Sequence, residues 1–277
     1  MNETEGKVNN GKYRLKPGSK LDLDGKDPGD RSALPGGSKE DAAQLLVQLS
    51  KEIDRLQDLL FAQQKHAVLV VLQGMDTSGK DGVVRHVFSE VDPLGVRAVG
   101  FKAPTSAELA HDFLWRVHRE APGKGEIVVF NRSHYEDVLV VRVHKWISPG
   151  TCKERYRQIN EFERTLAENG TLILKFFLHL SKNEQKKRLQ ERVDDPDKRW
   201  KFNPKDLEER KLWDDYMLAY EDALIATSTQ WAPWYIVPAD SKTNRNIVIS
   251  SVLKEALSDL KMSYPQPEWD PATLRVS

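Results

Sequence analysis

Apolar residues fall along this chain in two alternating rhythms. Five short runs are mostly apolar throughout, at 67–73, 96–101, 126–131, 171–178 and 234–238. Apolar positions recur at helical spacing near 80–91, 106–120, 153–169, 182–193, 204–228 and 243–261. Near-continuous apolar runs are strands buried on both faces, and strands separated by helices build a parallel sheet covered on both sides. The pattern predicts an α/β fold with five parallel strands and right-handed connections. Its ligand site is expected beyond the carboxyl ends of the strands.

Ahead of the first strand, Leu45, Leu46, Leu49, Ile53, Leu56, Leu59 and Leu60 form one helical stripe. Ser38 with Asp41 resembles a capping box, with Asp in place of the usual Glu or Gln. The stripe must be covered by the core or by a second copy of the chain, so a homo-oligomer is expected. Residues 1–37 are rich in Gly, Lys, Asp and Asn without an apolar period, and read as a mobile arm laid over the core. The expected division is arm 1–37, domain 38–262 and a Pro-rich surface tail 263–277.

Composition mainly excludes. Lysine plus arginine equals aspartate plus glutamate at 42 each, so nothing supports general attraction to nucleic acid or to a membrane. Cys152 is the only cysteine, which rules out an intrachain disulfide and a cysteine-rich metal site. The polar N-terminus lacks a leader pattern, and no apolar run approaches the roughly 18 residues of a membrane helix. A cytoplasmic protein is the expectation. The seven histidines show no metal spacing.

Candidate chemistry starts where the first strand ends, at Gly-Met-Asp-Thr-Ser-Gly-Lys-Asp over 74–81. Gly74, four residues, then Gly79-Lys80 is phosphate-loop spacing: a strand, a Gly-rich turn and a helix whose N-terminus receives an anion. Gly74, Thr77, Ser78, Gly79, Lys80 and Asp81 would wrap the phosphates. Asp76 would repel them unless a cation lies between, which implies magnesium, or manganese in its place, with Asp76 as ligand. Asp81 stands where Ser or Thr usually holds that metal.

A second polar cluster, Asn131 to Asp137, follows the third strand. Arg132 offers a fork for two phosphate oxygens. Asn131 occupies a place that is acidic in many phosphate-loop kinases, and Glu136 and Asp137 follow closely enough to replace it. Those two acids would also suit the first turn of a helix. Lys102 ends the second strand and Thr105 follows it. Arg116 and Arg119 share a helix face, as a basic path or as solvated surface. Residues 182–211 combine Arg188, Arg192 and many lysines around Asp194-Asp195-Pro196-Asp197, which suits a lid over a phosphate site. Trp200 and Phe202 read as packing anchors of that lid.

Four stretches taken together resemble the second family of polyphosphate kinases: 74–81, Phe-Lys-Ala-Pro-Thr (101–105), 130–143 and Arg-Val-Asp-Asp-Pro-Asp-Lys-Arg-Trp-Lys-Phe (192–202). The resemblance spans about 40 to 260. It implies a P-loop kinase-like three-layer sandwich, similar to thymidylate kinase, with a helical lid. It also implies magnesium-dependent, reversible phosphoryl transfer between inorganic polyphosphate and nucleotides. On that resemblance Asp76 holds the metal, and Lys80 and Arg132 act on the transferring phosphate; Asp137, from its place in the second cluster, is expected as a second metal ligand and catalytic acid. Lys102, Arg116, Arg188 and Arg192 bind polyphosphate. Thr105, Asn131, Arg132, Ser133 and Glu136 are the expected nucleotide contacts. Glu136-Asp137 resembles the subclass that accepts both AMP and ADP. The rival expectations are an ATP-dependent nucleotide or nucleoside kinase and a non-catalytic module that binds polyphosphate or nucleic acid.

Overall fold

The structure, a computed structural model, describes residues 8–36 and 38–270. The start of the expected arm (1–7), Gly37 and the end of the expected tail (271–277) lie outside them. In chain order the elements are α1 (Lys39–Gln63), β1 (Ala67–Gln73), α2 (Lys80–Val87), β2 (Val96–Gly100), α3 (Ser106–Leu109), α4 (Trp115–His118), β3 (Ile127–Asn131), α5 (Val140–Val143), α6 (Pro149–Glu168), β4 (Thr171–His179), α7 (Lys182–Asp194), α8 (Lys205–Lys211), α9 (Trp213–Thr227), β5 (Trp234–Pro238) and α10 (Lys242–Asp259). Ser38 caps α1 with the expected box: its hydroxyl accepts from Asp41 N, and Asp41 accepts from Ser38 N at 2.8 Å.

The five strands form one parallel sheet in the order β2-β3-β1-β4-β5. Side chains alternate across it, so the strands are apolar on both faces. Val68, Val70 and Leu72 join α1, α2 and α10 in one core, and Leu69 and Val71 join α6 and α9 in the other. The result is three layers. β1 lies at the centre, with β3 on one side and β4 on the other, and the loop after it opens at the point where the strand order reverses. The stripe of α1 packs within the chain, against α10.

Two expected helices are broken. The 106–120 segment splits into α3 and α4, because the Asp112 carboxylate accepts from Leu114 N at 3.0 Å and holds a turn in competition with helix. The 204–228 segment splits at Leu212, after which α9 turns to bury Trp213 and Tyr216. Residues 8–36 lie over the edge at β5. Leu15 N donates to Trp234 O and Ile236 N to Tyr13 O, both at 2.8 Å, and Tyr13, Leu15, Leu21, Leu23 and Ala33 are buried. These anchors have irregular spacing, so no period announces them, yet they cover an otherwise open strand edge. Among the described residues no helix is long and apolar enough to cross a membrane. Cys152 is a buried free thiol.

Candidate active site

The loop 74–79 leaves β1 and turns at once into α2. Gly74 (φ 149°) has to be glycine, since a Cβ there would stand 2.8 Å from the Leu178 carbonyl oxygen. Gly79 (φ 97°) has no room either, because a Cβ would collide with the Arg245 guanidinium. Thr77 takes φ 64°, an unfavourable region for a β-branched residue. Thr77 Oγ1 and Ser78 Oγ are buried and have no hydrogen-bond partner. Buried hydroxyls without partners inside a Gly-rich loop at a helix start fit an anion with several acceptor oxygens. Lys80 Nζ donates to Gly74 O (2.7 Å) and Met75 O (3.2 Å). Burial, then the nearby Arg132 charge, pull its pKa down to about 8.

The second cluster meets the loop. Register pairs Leu72 with Asn131, and Arg132 N continues the ladder to Leu72 O at 3.1 Å. Arg132 itself has φ 63°, a second strained residue at the same edge. Its guanidinium reaches across to Asp76 Oδ1 at 2.9 Å. Asn131 Nδ2 donates to Asp81 Oδ1 at 2.6 Å, so both residues that depart from the usual pattern are paired with each other. Glu136 is half-buried, feels the charges of Arg132, Lys80 and Asp76, and accepts from the Gln73 amide at 3.1 Å when that amide is turned with its nitrogen toward the carboxylate. Burial raises its pKa above the usual carboxylate value.

Several expected site residues are engaged elsewhere. Asp137, expected as a catalytic metal ligand, turns to Arg116 (3.5 Å) and Arg155 (3.9 Å); it is Glu136 that couples to the loop. Arg116, expected on phosphate, is buried, donates to Lys102 O at 2.8 Å and lies over the Phe101 ring. Ser133, expected at the nucleotide, is fully buried and accepts from Tyr135 N at 3.2 Å. Thr105 serves as the N-cap of α3, and Lys102 stays exposed.

The lid segment touches the loop through α7. Gln185 Nε2 donates to Asp76 O at 3.2 Å. Arg188, expected as a lid cation on phosphate, is buried behind the loop instead. It donates to Thr77 O (3.0 Å), Ala239 O and Asp240 O (both 2.9 Å), with Glu184 Oε1 at 2.9 Å. Arg192 staples the lid internally, 3.8 Å from Asp206 and 3.4 Å from Lys201 O. Trp200, read as an anchor, is 78% exposed under Lys201, whereas Phe202 is half-buried.

Three participants escaped the sequence reading. Asp206 on α8 stands near Asp76; burial and then that charge raise its pKa. Arg245 of α10 is buried against Gly79 and donates to Ser78 O at 3.2 Å, and burial followed by the Arg188 charge lowers its pKa to about 10. One arginine beside the apolar run Ile247-Val248-Ile249 was the signal available. The third is a buried network beneath the second cluster. Lys175 Nζ on β4 donates to Glu163 Oε2 (2.6 Å), Tyr135 OH (2.8 Å) and Thr227 O (2.7 Å). Tyr135 OH donates to Glu163 Oε1 at 2.8 Å, and His134 Nε2 lies 3.2 Å from that oxygen. Burial opposes the charge on Glu163, but Lys175 and His134 hold its pKa below the usual value. The network fixes His134 and Tyr135, and with them the chain that carries Arg132 and Glu136.

This arrangement gathers cations and acids where phosphates can be bound and passed in line. Magnesium usually keeps waters and takes one or two carboxylates plus substrate phosphates. Asp76 and Glu136 supply such hard oxygen donors at the loop; among the described residues no trio of His, Cys, Asp and Glu is grouped to hold a metal alone.

The model of the family "Polyphosphate kinase 2 (PPK2)" matches residues 36–265. The AMP/ADP-polyphosphate phosphotransferase of Meiothermus ruber is 55% identical over 257 residues, 93% of this chain and 96% of that protein. The ADP-polyphosphate phosphotransferase of Rhodopseudomonas palustris is 47% identical over 272 residues, 94% and 93% of the two chains. The crystal structure of polyphosphate kinase 2 from Arthrobacter aurescens TC1 superposes with a TM-score of 0.90 at 45% identity, covering 94% of this chain and 92% of that one. With the phosphate loop, the facing Arg132 and the sheet order already in place, these matches settle the lineage: the chain belongs to the polyphosphate kinase 2 family.

Proposed function

We propose that the protein transfers phosphate from inorganic polyphosphate to nucleoside mono- and diphosphates, AMP to ADP and ADP to ATP, reversibly and with magnesium. The observation that carries this reading is the Asp76–Arg132 pair closing over the lip of a phosphate loop with two unpartnered hydroxyls. Relatives named for AMP/ADP and for ADP transfer support the acceptor range.

Phosphoryl transfer needs little covalent help from the protein; it needs positioning and cations where charge gathers. Thr77, Ser78 and the start of α2 would cradle the phosphates. Lys80 would leave the Gly74 and Met75 carbonyls for a phosphate oxygen. Arg132 would hold donor and acceptor oxygens in its fork. Magnesium, held by Asp76 and Glu136, would neutralise charge between loop and substrate. Purified protein with magnesium, long-chain polyphosphate and AMP, without ATP, should yield ADP and then ATP on chromatography. Turnover only when ATP replaces polyphosphate would reassign it as an ATP-dependent kinase. Self-association belongs to the same proposal, supported by Val47, which α1 leaves 56% exposed.

The lowered pKa of Lys80 gives a pH signature. In the free enzyme its charge titrates through about pH 8, held well below that pH and lost as pH rises through it. The kcat/KM for polyphosphate, which reports free-enzyme groups, should therefore fall above pH 8. In Lys80→Arg, whose guanidinium does not titrate in this range, the basic limb should move upward. A wild-type profile flat to pH 10 contradicts the role.

A further inference from the structure

The segment laid over β5 encloses a cavity of about 610 Å³. Ile236 and Pro238 of the sheet edge lie on one side, Tyr13 and Leu15 on the other. Arg14, Lys16, Lys20 and Lys26 line it; all four are exposed, and among the described residues none forms an ion pair. Of the two carboxylates in the lining, Asp30 is matched by a cation and Asp27 keeps its charge. Asp30 holds Lys12 at 2.6 Å, and Asp27 accepts from Gly29 N at 2.8 Å. The lining thus carries five cations against two carboxylates, an excess of three positive charges, in a chain whose total formal charge is zero. Such a cavity focuses a positive field.

The cavity lies on the substrate edge of the sheet. His179, the last residue of β4, lines it, with Nε2 3.0 Å from Lys26 O. From there a short relay reaches the phosphate loop. Asp240 N donates to Pro28 O (3.1 Å), Asp240 O accepts from Arg188 (2.9 Å), and Arg188 donates to Thr77 O (3.0 Å). β5 is two strands from β1, about 10 Å at normal strand spacing. A polymeric anion seated in the loop and running toward this edge would meet these cations.

We propose that the cavity is a subsite for the distal units of the inorganic polyphosphate chain, binding the polymer beyond the units held at the loop. Separate cations from four positions suit a string of single charges better than a nucleotide, whose charge sits at one end. This assignment rests on the polyphosphate reading of the active site. It predicts that long chains gain affinity from the cavity and short ones do not.

The test is the triple variant Lys16→Ala/Lys20→Ala/Lys26→Ala, assayed with ADP and either long-chain polyphosphate or tetraphosphate. The KM for the long chain should rise about tenfold at low salt, with kcat and the tetraphosphate KM within about twofold of wild type. Added salt should erase the difference, since exposed charges are screened. An unchanged long-chain KM overturns the proposal, and so does an equal rise for both donors, which would place the effect at the loop. Wild-type protein that turns over ATP but neither polyphosphate removes the functional reading itself, a result distinct from an active enzyme with an indifferent variant.

Discussion

Lys80→Ala is expected to lower kcat/KM for polyphosphate by about 10²–10³-fold, the cost of deleting one preorganised charge at a reacting phosphate. The loop backbone and the start of α2 remain, so the loss should stop short of complete inactivity. Folding should be spared. Lys80 Nζ touches only two loop carbonyls and has no ion pair, and burial already works against its charge. Thermal melting within a few degrees of wild type, beside collapsed turnover, is the expected pair of results. Asp76→Ala should behave alike, because it removes the carboxylate that faces Arg132 across the loop. Near-wild-type turnover in either variant would sink the assignment of this loop as the reaction centre.

Glu163→Leu should cost the fold about 3–5 kcal/mol, read as a lowered denaturant midpoint. Both Glu163 and Lys175 are fully buried, and removing the carboxylate strands an ammonium in the core. The companion Glu163→Leu/Lys175→Met should regain most of the stability, since apolar side chains of similar volume can replace a buried ion pair without loss. It should not regain full turnover. His134 and Tyr135 both rest on Glu163, and they carry the strained Arg132 on one side and Glu136 on the other. Stability restored together with full kcat would show that the pair holds the fold and leaves the site's geometry to other contacts.

The sheet was legible because fully buried parallel strands write themselves as unbroken apolar runs, and all five expected strands are present within a residue or so of their bounds. The phosphate loop was legible for a related reason: Gly74 and Gly79 answer steric demands of the backbone at fixed spacing. Legibility ends where a long side chain chooses its partner. Arg116 and Arg188 have the chemistry for phosphate, but their guanidinium groups end on backbone carbonyls, Arg116 also near Asp137. Glu136 and Asp137 are neighbours in one 3-10 turn, and only the packing of that turn decides which faces the loop. Arg245 lies 166 residues from Gly79, and no local pattern joins them. The segment over β5 is held by scattered anchors, and periodicity cannot register those.

Arg188 and Arg245 stand together behind the phosphate loop, and both donate toward Ser78 O. Glu184 attends Arg188, but Arg245 has only the neutral amide of Asn246 beside its loop contact. Like charges confined in this way work against each other, as the pKa of Arg245, lowered by burial and then by Arg188, reflects, and an anion seated in the loop would offset them. Substrate would then double as a thermal protectant, read as a higher melting temperature with polyphosphate present. A ligand that binds only the native state at 100 times its Kd adds about 2.7 kcal/mol. Engineering this enzyme for heat by neutralising Arg245 would trade that dependence for a sturdier resting protein with a weaker hold on its donor.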